Sequence, residues 1–289
     1  MNPTCLLIDA GNSQVKWQLC RLSNDTDDQS KTTRQNYVNP SVQWLTQGQT
    51  CYTSDLQTLT QLQRQWQNEL ADHVIDQVIV CSVTALHLAE LQAAFDPLAL
   101  TTDVQAIHWQ SFTTEAQSQI GRRVINGYHD NQQMGADRWA NVLGACWLAP
   151  PEDQSLVIVS AGTALTLDFV TRATDWYHQG GLIIPGLQTL RTSLHEHTSA
   201  LPALPVDETD LSQHAQPGRS TKEAIQHGTL NLTTALIEQC ARDARVILTG
   251  GTSAILADYL RLRGQSVIVV PNLLSYGLLA RHQMTQIEQ

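Results

Sequence analysis

Lysine is scarce in this chain. The 17 basic residues include only Lys16, Lys31 and Lys222 as lysines, against 27 acidic residues and a formal net charge of −10. Lys and Arg nowhere form a cluster, so no stripe exists for a polyanion. That argues against nucleic acid or an anionic membrane surface as the partner. Long apolar runs are also missing. None approaches the ~20 residues needed to span a bilayer, and no basic-then-apolar leader precedes the first strand pattern. The six cysteines include no C-x-x-C pair, which excludes the usual zinc and dithiol signatures. Cys5, Cys81 and Cys146 lie in apolar contexts and read as reduced, buried thiols of a cytoplasmic protein. Neither G-x-x-x-x-G-K-[ST] nor G-x-G-x-x-G occurs, so P-loop and Rossmann phosphate binding are excluded. No Ser/His/Asp hydrolase signature stands out. His195 and His197 sit two apart in a helical stretch, on different faces, and do not make a metal pair.

What is present is ordinary globular bulk, 289 residues at 42% hydrophobic content, enough for one or two domains. Within it one pattern occurs twice. Leu6-Leu7-Ile8 runs into Asp9-Ala10-Gly11-Asn12-Ser13, and Val157-Ile158-Val159 runs into Ser160-Ala161-Gly162-Thr163-Ala164. Apolar alternation resumes after each turn, at Val15, Trp17 and Leu19 and at Leu165, Leu167 and Phe169. Each copy predicts a strand, a glycine turn and a second strand. Such a turn brings backbone N–H groups close to an anion, and hydroxyl or amide side chains at its tip add donors. A single glycine hairpin is usually only a hairpin. Two of them facing each other can hold the phosphates of one nucleotide between two halves of a protein.

Between these landmarks, Leu56 to Leu70 carries a helical stripe through Leu56, Leu59, Leu62, Trp66 and Leu70. Residues 74–83 predict a strand and 85–95 a helix. Residues 22–35 read as a polar loop, and residues 100–120 as a polar hinge between halves. Ala136, Trp139, Ala140, Leu143 and Trp147 mark one face of a helix stopped by Pro150-Pro151. Later elements are a strand through Gly180–Pro185, a helix over 187–198 and a loop over 202–220. A long helix over 221–241, a strand at 246–248, a helix after Thr249-Gly250-Gly251-Thr252 and a strand at 267–270 follow. The fold class expected is α/β, with an N-terminal lobe over 1–118 and a related C-terminal lobe over 119–289.

Asp9, at the end of a buried strand beside phosphates, would hold Mg²⁺ directly or through water; the alternative is a turn-forming hydrogen bond. Asp137 sits in the first turn of a helix, where the dipole favours its ionised form. It suits the acceptance of a proton from an attacking hydroxyl; simple capping is the alternative. Arg138 would pair bidentately with a substrate carboxylate, or lie on a solvated face. Thr249-Gly250-Gly251 would let a flat adenine or ribose lie against backbone, or would be an ordinary βα turn.

Taken in order, these segments resemble the type III pantothenate kinases of the actin/hexokinase/heat-shock ATPase superfamily. The resemblance runs through Asp9-Ala-Gly-Asn-Ser-Gln-Val-Lys16, Tyr128, Gly135-Ala-Asp-Arg138 and Ala161-Gly-Thr-Ala164 to Asp168. It continues through Gly180-Gly-Leu-Ile-Ile-Pro-Gly186, Thr198-Ser-Ala-Leu-Pro202, Ser220-Thr221 with Ala224 and Gly228, and Thr249-Gly-Gly251. It implies two related lobes of the actin/ribonuclease-H-like ATPase fold with a nucleotide cleft between them, and ATP-dependent phosphorylation of pantothenate, the first step towards coenzyme A. It assigns ATP contacts to Asp9, Ala10, Gly11, Asn12, Ser13, Gln14, Val15, Lys16 and Thr163. Pantothenate contacts fall on Tyr128, Gly135, Ala136, Asp137, Arg138 and Thr221, with Asp137 as the base. It further implies Mg²⁺, a monovalent cation (K⁺ or NH₄⁺) and a homodimer. Ser13 replaces the family's usual Thr and keeps the hydroxyl. Ser160 stands where many members carry an Asp that helps bind the monovalent cation, and a neutral hydroxyl is a poorer cation ligand than a carboxylate. The other classes left open are a nucleotide-binding regulator without turnover and a phosphohydrolase. Asp9, Asp137 and Arg138 are intact, against the first; Arg138 beside the base favours a carboxylate-bearing acceptor, against the second.

Overall fold

The computed structural model describes residues 3–22, 42–84, 88–96, 107–206, 216–241 and 243–287. The expected loop over 22–35 and the start of the expected hinge fall almost wholly outside these residues. Packing groups the chain into two compact units. One comprises Met1–Gly121, Asp130–Pro150 and Leu274–Gln289, the other Arg122–His129 and Pro151–Leu273.

The first unit opens with β1 (Thr4–Ala10), β2 (Gln14–Leu22) and β3 (Val42–Cys51). After them come α1 (Asp55–Glu69), β4 (Gln77–Ser82), α2 (Leu88–Phe95) and β5 (His108–Ser111). The sheet order is β3-β2-β1-β4-β5. The β1–β2 and β2–β3 pairs are antiparallel, whereas β1–β4 and β4–β5 are parallel. Two short strands, β6 (Gln117–Gln119) and β7 (Arg123–Ile125), and the helix α3 (Ala136–Leu148) follow.

The second unit then repeats the arrangement. Its elements are β8 (Ser155–Ala161), β9 (Ala164–Arg172), β10 (Trp176–Pro185), α4 (Leu187–Glu196), α5 (Thr221–Cys240), β11 (Arg245–Thr249), α6 (Ser253–Leu262) and β12 (Val267–Val269). The order β12-β11-β8-β9-β10 is the first order again. The β8–β9 and β9–β10 pairs are antiparallel, and β8–β11 and β11–β12 parallel. β7 lies parallel to β10. The chain ends in α7 (Leu273–Ile287). The duplication expected from two glycine hairpins is therefore a duplication of a whole five-stranded topology, and the α/β class with two related lobes holds.

Local chemistry explains the elements. Cys5 to Ile8 are wholly buried because β1 is central, with both faces covered, as continuous apolar runs require. Its neighbours Val15, Trp17 and Leu19 alternate inward and join Leu62, Trp66, Leu70 and Phe95 in one core. A separate core in the second unit gathers Val157, Val159, Leu165, Leu167, Leu230, Leu248 and Leu256. The α1 stripe is Thr58, Leu62 and Trp66, not Leu56, which is 78% exposed. Six positions before Leu62, Leu56 falls a third of a turn off that stripe. α3 is not one-faced as expected: every residue from Arg138 to Cys146 is buried. Part of the expected hinge is the edge strand β5, whose polar residues are at least partly exposed. No cysteine is disulfide-bonded, and Cys5, Cys20, Cys81 and Cys146 are buried. Among the described residues no helix is long and apolar enough to cross a membrane.

The burial of α3 depends on α7. Both belong to the first unit, and they meet at Gly277, where an added Cβ would lie 1.8 Å from the Ala140 carbonyl oxygen. Arg281 of α7 also donates to the Thr113 carbonyl at 2.6 Å and to Glu115 at 3.0 Å. Backbone cannot yield as a side chain does, so the two helices must separate to admit a methyl group. Gly277→Ala should destabilise the protein by about 1–3 kcal/mol despite the better helix propensity of alanine. Gly228 on α5 has no atom near its Cβ position, and Gly228→Ala should stabilise by about 0.5–1 kcal/mol. Urea unfolding of both variants checks the contrast.

Candidate active site

Asp9 is the penultimate residue of β1. In register it faces Lys16 across the hairpin and Cys81 on the parallel side. The three-residue tip is Gly11-Asn12-Ser13, with Asn12 and Ser13 exposed. The Gly11 N–H closes the turn by donating to the Gln14 carbonyl at 3.0 Å, and the Ser13 carbonyl accepts from Tyr52 N at 2.8 Å. The Gly11 N–H is therefore used within the turn itself.

Asp137 occupies the second position of α3, behind the N-cap Gly135. Its Oδ1 accepts from the Arg138 N–H at 2.8 Å. A Cβ on Gly135 would lie 2.5 Å from the same oxygen. The carboxylate thus folds back over the helix N-terminus, which only glycine leaves clear. Arg138 is buried, 5% exposed, which removes the alternative of a solvated surface arginine.

The first unit brings Asp9 and Asp137 into electrostatic contact, although 128 positions separate them in sequence. Burial pushes the Asp9 carboxyl up to about 7; Lys16 opposes the shift and the Asp137 charge adds to it. Cys81 feels both carboxylates, but burial is the larger reason that its thiol titrates high. A carboxylate penalised by burial and by a second carboxylate is a site that a divalent cation relieves. Among the described residues no group of three or more His, Cys, Asp or Glu could hold a metal by itself. The donor set therefore suits Mg²⁺ that arrives with phosphate oxygens, one carboxylate being the protein's share.

The second unit carries the other hairpin, with the exposed tip Gly162-Thr163. Gly162 N–H donates to the Ala164 carbonyl at 3.1 Å, and the Thr163 carbonyl accepts from Gly186 N at 2.9 Å. Thr189 Oγ1 donates to the same carbonyl at 2.7 Å. A Cβ on Gly186 would come within 2.0 Å of the Gly162 oxygen, so the Pro185-Gly186 end of β10 presses the α4 N-terminus onto the tip. Gly250 (φ +95°) touches the Ala161 backbone, where a Cβ would sit at 2.7 Å. Sequence reading set Gly250 against adenine or ribose, with an ordinary βα turn as the alternative; the structure gives Gly186 and Gly250 a packing role.

Ser160 is the counterpart of Asp9. It pairs with Thr166 on β9 and Thr249 on β11, so this strand end presents three hydroxyl groups and no carboxylate. Thr221, exposed, opens α5 behind a capping box: Ser220 Oγ accepts from Glu223 N at 3.2 Å, and Glu223 accepts from Arg219 N at 2.6 Å. Tyr128 also belongs to the second unit, where its ring stacks on His178. The site residues of the resemblance thus divide into two sets. Asp9–Lys16 and Gly135–Arg138 lie in the first unit, and Tyr128, Ser160, Thr163 and Thr221 in the second. Cys81, the register partner of Asp9, and His178, stacked on Tyr128, were missed, because sequence marks neither a strand register nor a ring contact between distant segments.

Asp9 should cost stability when no cation is bound. Its folded pKa of about 7 lies above the ordinary carboxylate value of 3.8, so the folded state holds its proton more tightly than the unfolded chain. Its stabilising contribution is complete below about pH 4 and is lost as pH rises to 7. In EDTA without nucleotide, Asp9→Asn should match wild type at pH 4. By pH 8 it should melt higher, about 2–4 °C for each kcal/mol recovered. Thermal melts across that pH range check this.

A family profile described as Type III pantothenate kinase matches residues 5–243. A type III pantothenate kinase of Cupriavidus taiwanensis is 32% identical over 279 residues, covering 90% of this chain and 92% of that protein. One of Ectopseudomonas mendocina is 36% identical, over 57% of this chain and only 65% of that protein. The match to a relative from Laribacter hongkongensis, at 42% identity, spans 62% of it. Among solved structures, a protein assigned to the Baf family of transcriptional activators from Campylobacter jejuni superposes with a TM-score of 0.53 at 17% identity. That match covers 98% of this chain and 99% of the other. A protein from Sinorhizobium meliloti assigned as a 2-dehydro-3-deoxygalactonokinase also gives 0.53, at 15% identity, over 97% and 98% of the two chains. These two establish the shared fold alone. With the family profile covering most of the chain and the carboxylate pair in place, this chain belongs to the type III pantothenate kinase family.

Proposed function

We propose that this chain transfers the γ-phosphoryl group of ATP to the primary hydroxyl of pantothenate, giving 4′-phosphopantothenate for coenzyme A synthesis. The observation that carries the reading is the Asp9–Asp137 pair, one carboxylate near the end of the strand that enters the first hairpin and the other at a helix N-terminus. Asp137 accepts the hydroxyl proton as the oxygen–phosphorus bond forms and the bond to the β-phosphate oxygen breaks, releasing ADP. In a loose phosphoryl-transfer transition state a weak base in the right place suffices. Asp9 holds Mg²⁺, which neutralises charge on the phosphates. Ala10 to Lys16 and Thr163 supply donors to ATP. The buried Arg138 pairs with the pantothenate carboxylate, with Tyr128, Gly135, Ala136 and Thr221 as further contacts.

The same reading includes a division into lobes over 1–118 and 119–289, a cytoplasmic location and a homodimer. Exposed Leu182 and Ile183 on β10 and Leu232 on α5 support the dimer. It also includes a monovalent-cation position at Ser160, where hydroxyls of Ser160, Thr166 and Thr249 replace a carboxylate. Neutral oxygens bind a cation weakly, so K⁺ or NH₄⁺ dependence is shallow.

ADP release with and without pantothenate tests the reaction; pantothenate-independent release would favour a hydrolase, and none at all a regulator. Asp137→Asn keeps the shape and loses the proton acceptor, so kcat should fall about 10²- to 10⁴-fold with ATP binding nearly intact. Kinetics within a few-fold of wild type would remove Asp137 from that role. Ser160→Asp should steepen K⁺ dependence in a sodium- and ammonium-free titration. Strong, saturable K⁺ activation of the wild type would show that other ligands complete the site.

A further inference from the structure

A second buried ion-type pair lies outside the residues used above. Asp168 on β9 and His178 on β10 belong to the second unit. As a carboxylate, Asp168 accepts at Oδ1 from His178 Nε2 at 2.9 Å, with the side chains 2% and 0% exposed. Removing such a pair from water is costly, and hydrophobic residues of the same volume would serve packing as well or better. The geometry around it shows what the pair holds in place.

The His178 ring stacks on Tyr128, with centroids 5.7 Å apart and planes 21° from parallel. That is the spacing of a favourable aromatic pair. Backbone follows the same contact. A Cβ on Gly127 would lie 1.9 Å from the His178 carbonyl oxygen, so the residue before Tyr128 must be glycine for the two segments to meet. Asn126 Oδ1 accepts from the Tyr128 N–H at 3.0 Å. On the other side, the β9–β10 register breaks between His178 and Gly181, with Gly180 at φ +101°. Tyr128 is only half-buried, so one face of its ring rests on His178.

We propose that His178, fixed by Asp168, is a positioning residue that sets the plane of the Tyr128 ring and so the shape of the pantothenate subsite. The inference rests on the reading that Tyr128 contacts pantothenate. Asp168 locks the imidazole tautomer and orientation, and the imidazole then limits the rotation of Tyr128. A ring ordered before binding loses little freedom on binding, so the effect belongs to pantothenate affinity and not to the chemical step.

A double-mutant cycle on the full-length protein tests this, with His178→Leu, Tyr128→Ala and the double variant. His178→Leu should raise the pantothenate KM roughly three- to thirtyfold, with kcat and the ATP KM within about twofold of wild type. In the Tyr128→Ala background the same change should have no further effect. Asp168→Asn, which keeps an acceptor oxygen, should shift the pantothenate KM in the same direction but less. If His178→Leu does not fold, as its melting curve shows, Asp168→Asn takes its place in the cycle. Equal effects of the His178 change in both backgrounds, or equal shifts in both Michaelis constants, would make the pair merely structural and overturn the proposal. An unchanged pantothenate KM in Tyr128→Ala alone would overturn the placement of Tyr128 and the inference with it. Loss of pantothenate stimulation in the wild type would overturn the kinase reading itself.

Discussion

One hydrogen bond, made twice, holds the strand end at the base of both glycine hairpins. Val83 N donates to the Ala10 carbonyl at 3.1 Å, and Thr252 N donates to the Ala161 carbonyl at 3.1 Å. In each unit the first strand is central, with an antiparallel hairpin partner on one side and a parallel strand on the other. Both edges of that strand are satisfied up to the alanine. Beyond it the parallel neighbour turns away into its helix and the hairpin must close. The residue just before the alanine is then held by neighbours on both sides, at the carboxyl end of the sheet, where α/β proteins bind ligands. In the first unit that residue is Asp9, and in the second it is Ser160.

The two units share this scaffold and differ in what they place on it. Asp9 has Lys16 and Cys81 beside it, whereas Ser160 has Thr166 and Thr249. One strand end carries charge and the other only hydroxyl groups. A buried carboxylate without a bound cation is unfavourable, as the raised Asp9 titration shows, and Asp137 makes it more so. Proteins keep such strain where function uses it. The hydroxyl end carries no charge to desolvate.

Helix α3 ties the charged end to the rest of its unit. Asp137 is aimed by the α3 N-terminus, and α3 itself is enclosed, meeting α7 through Gly277 at a distance that excludes any side chain. The placement of Asp137 thus depends on a glycine close to the end of the chain. The buried Asp168–His178 pair does the corresponding work around Tyr128 in the other unit. In both places a half-exposed side chain is held by residues that are hidden.

Much of this was legible in the residues alone. The paired apolar runs ending in glycine turns predicted both hairpins, and helix periodicity located α1, α3, α4 and α5, because burial of one face leaves a mark every three or four residues. The motif order carried the family. β3 and β5 left no such mark, since half-exposed strands at a sheet edge need no apolar alternation. The all-round burial of α3 was equally hidden, because α7 that covers it lies over a hundred residues away in sequence. Sequence by itself determined which residues are chemically able to bind phosphate, accept a proton or pair with a carboxylate. Only the tertiary structure decided that Asp9 and Asp137 feel one another, that Arg138 is buried, and that His178 lies under Tyr128. Those facts depend on strand register and on contacts between distant segments, and a linear pattern encodes neither.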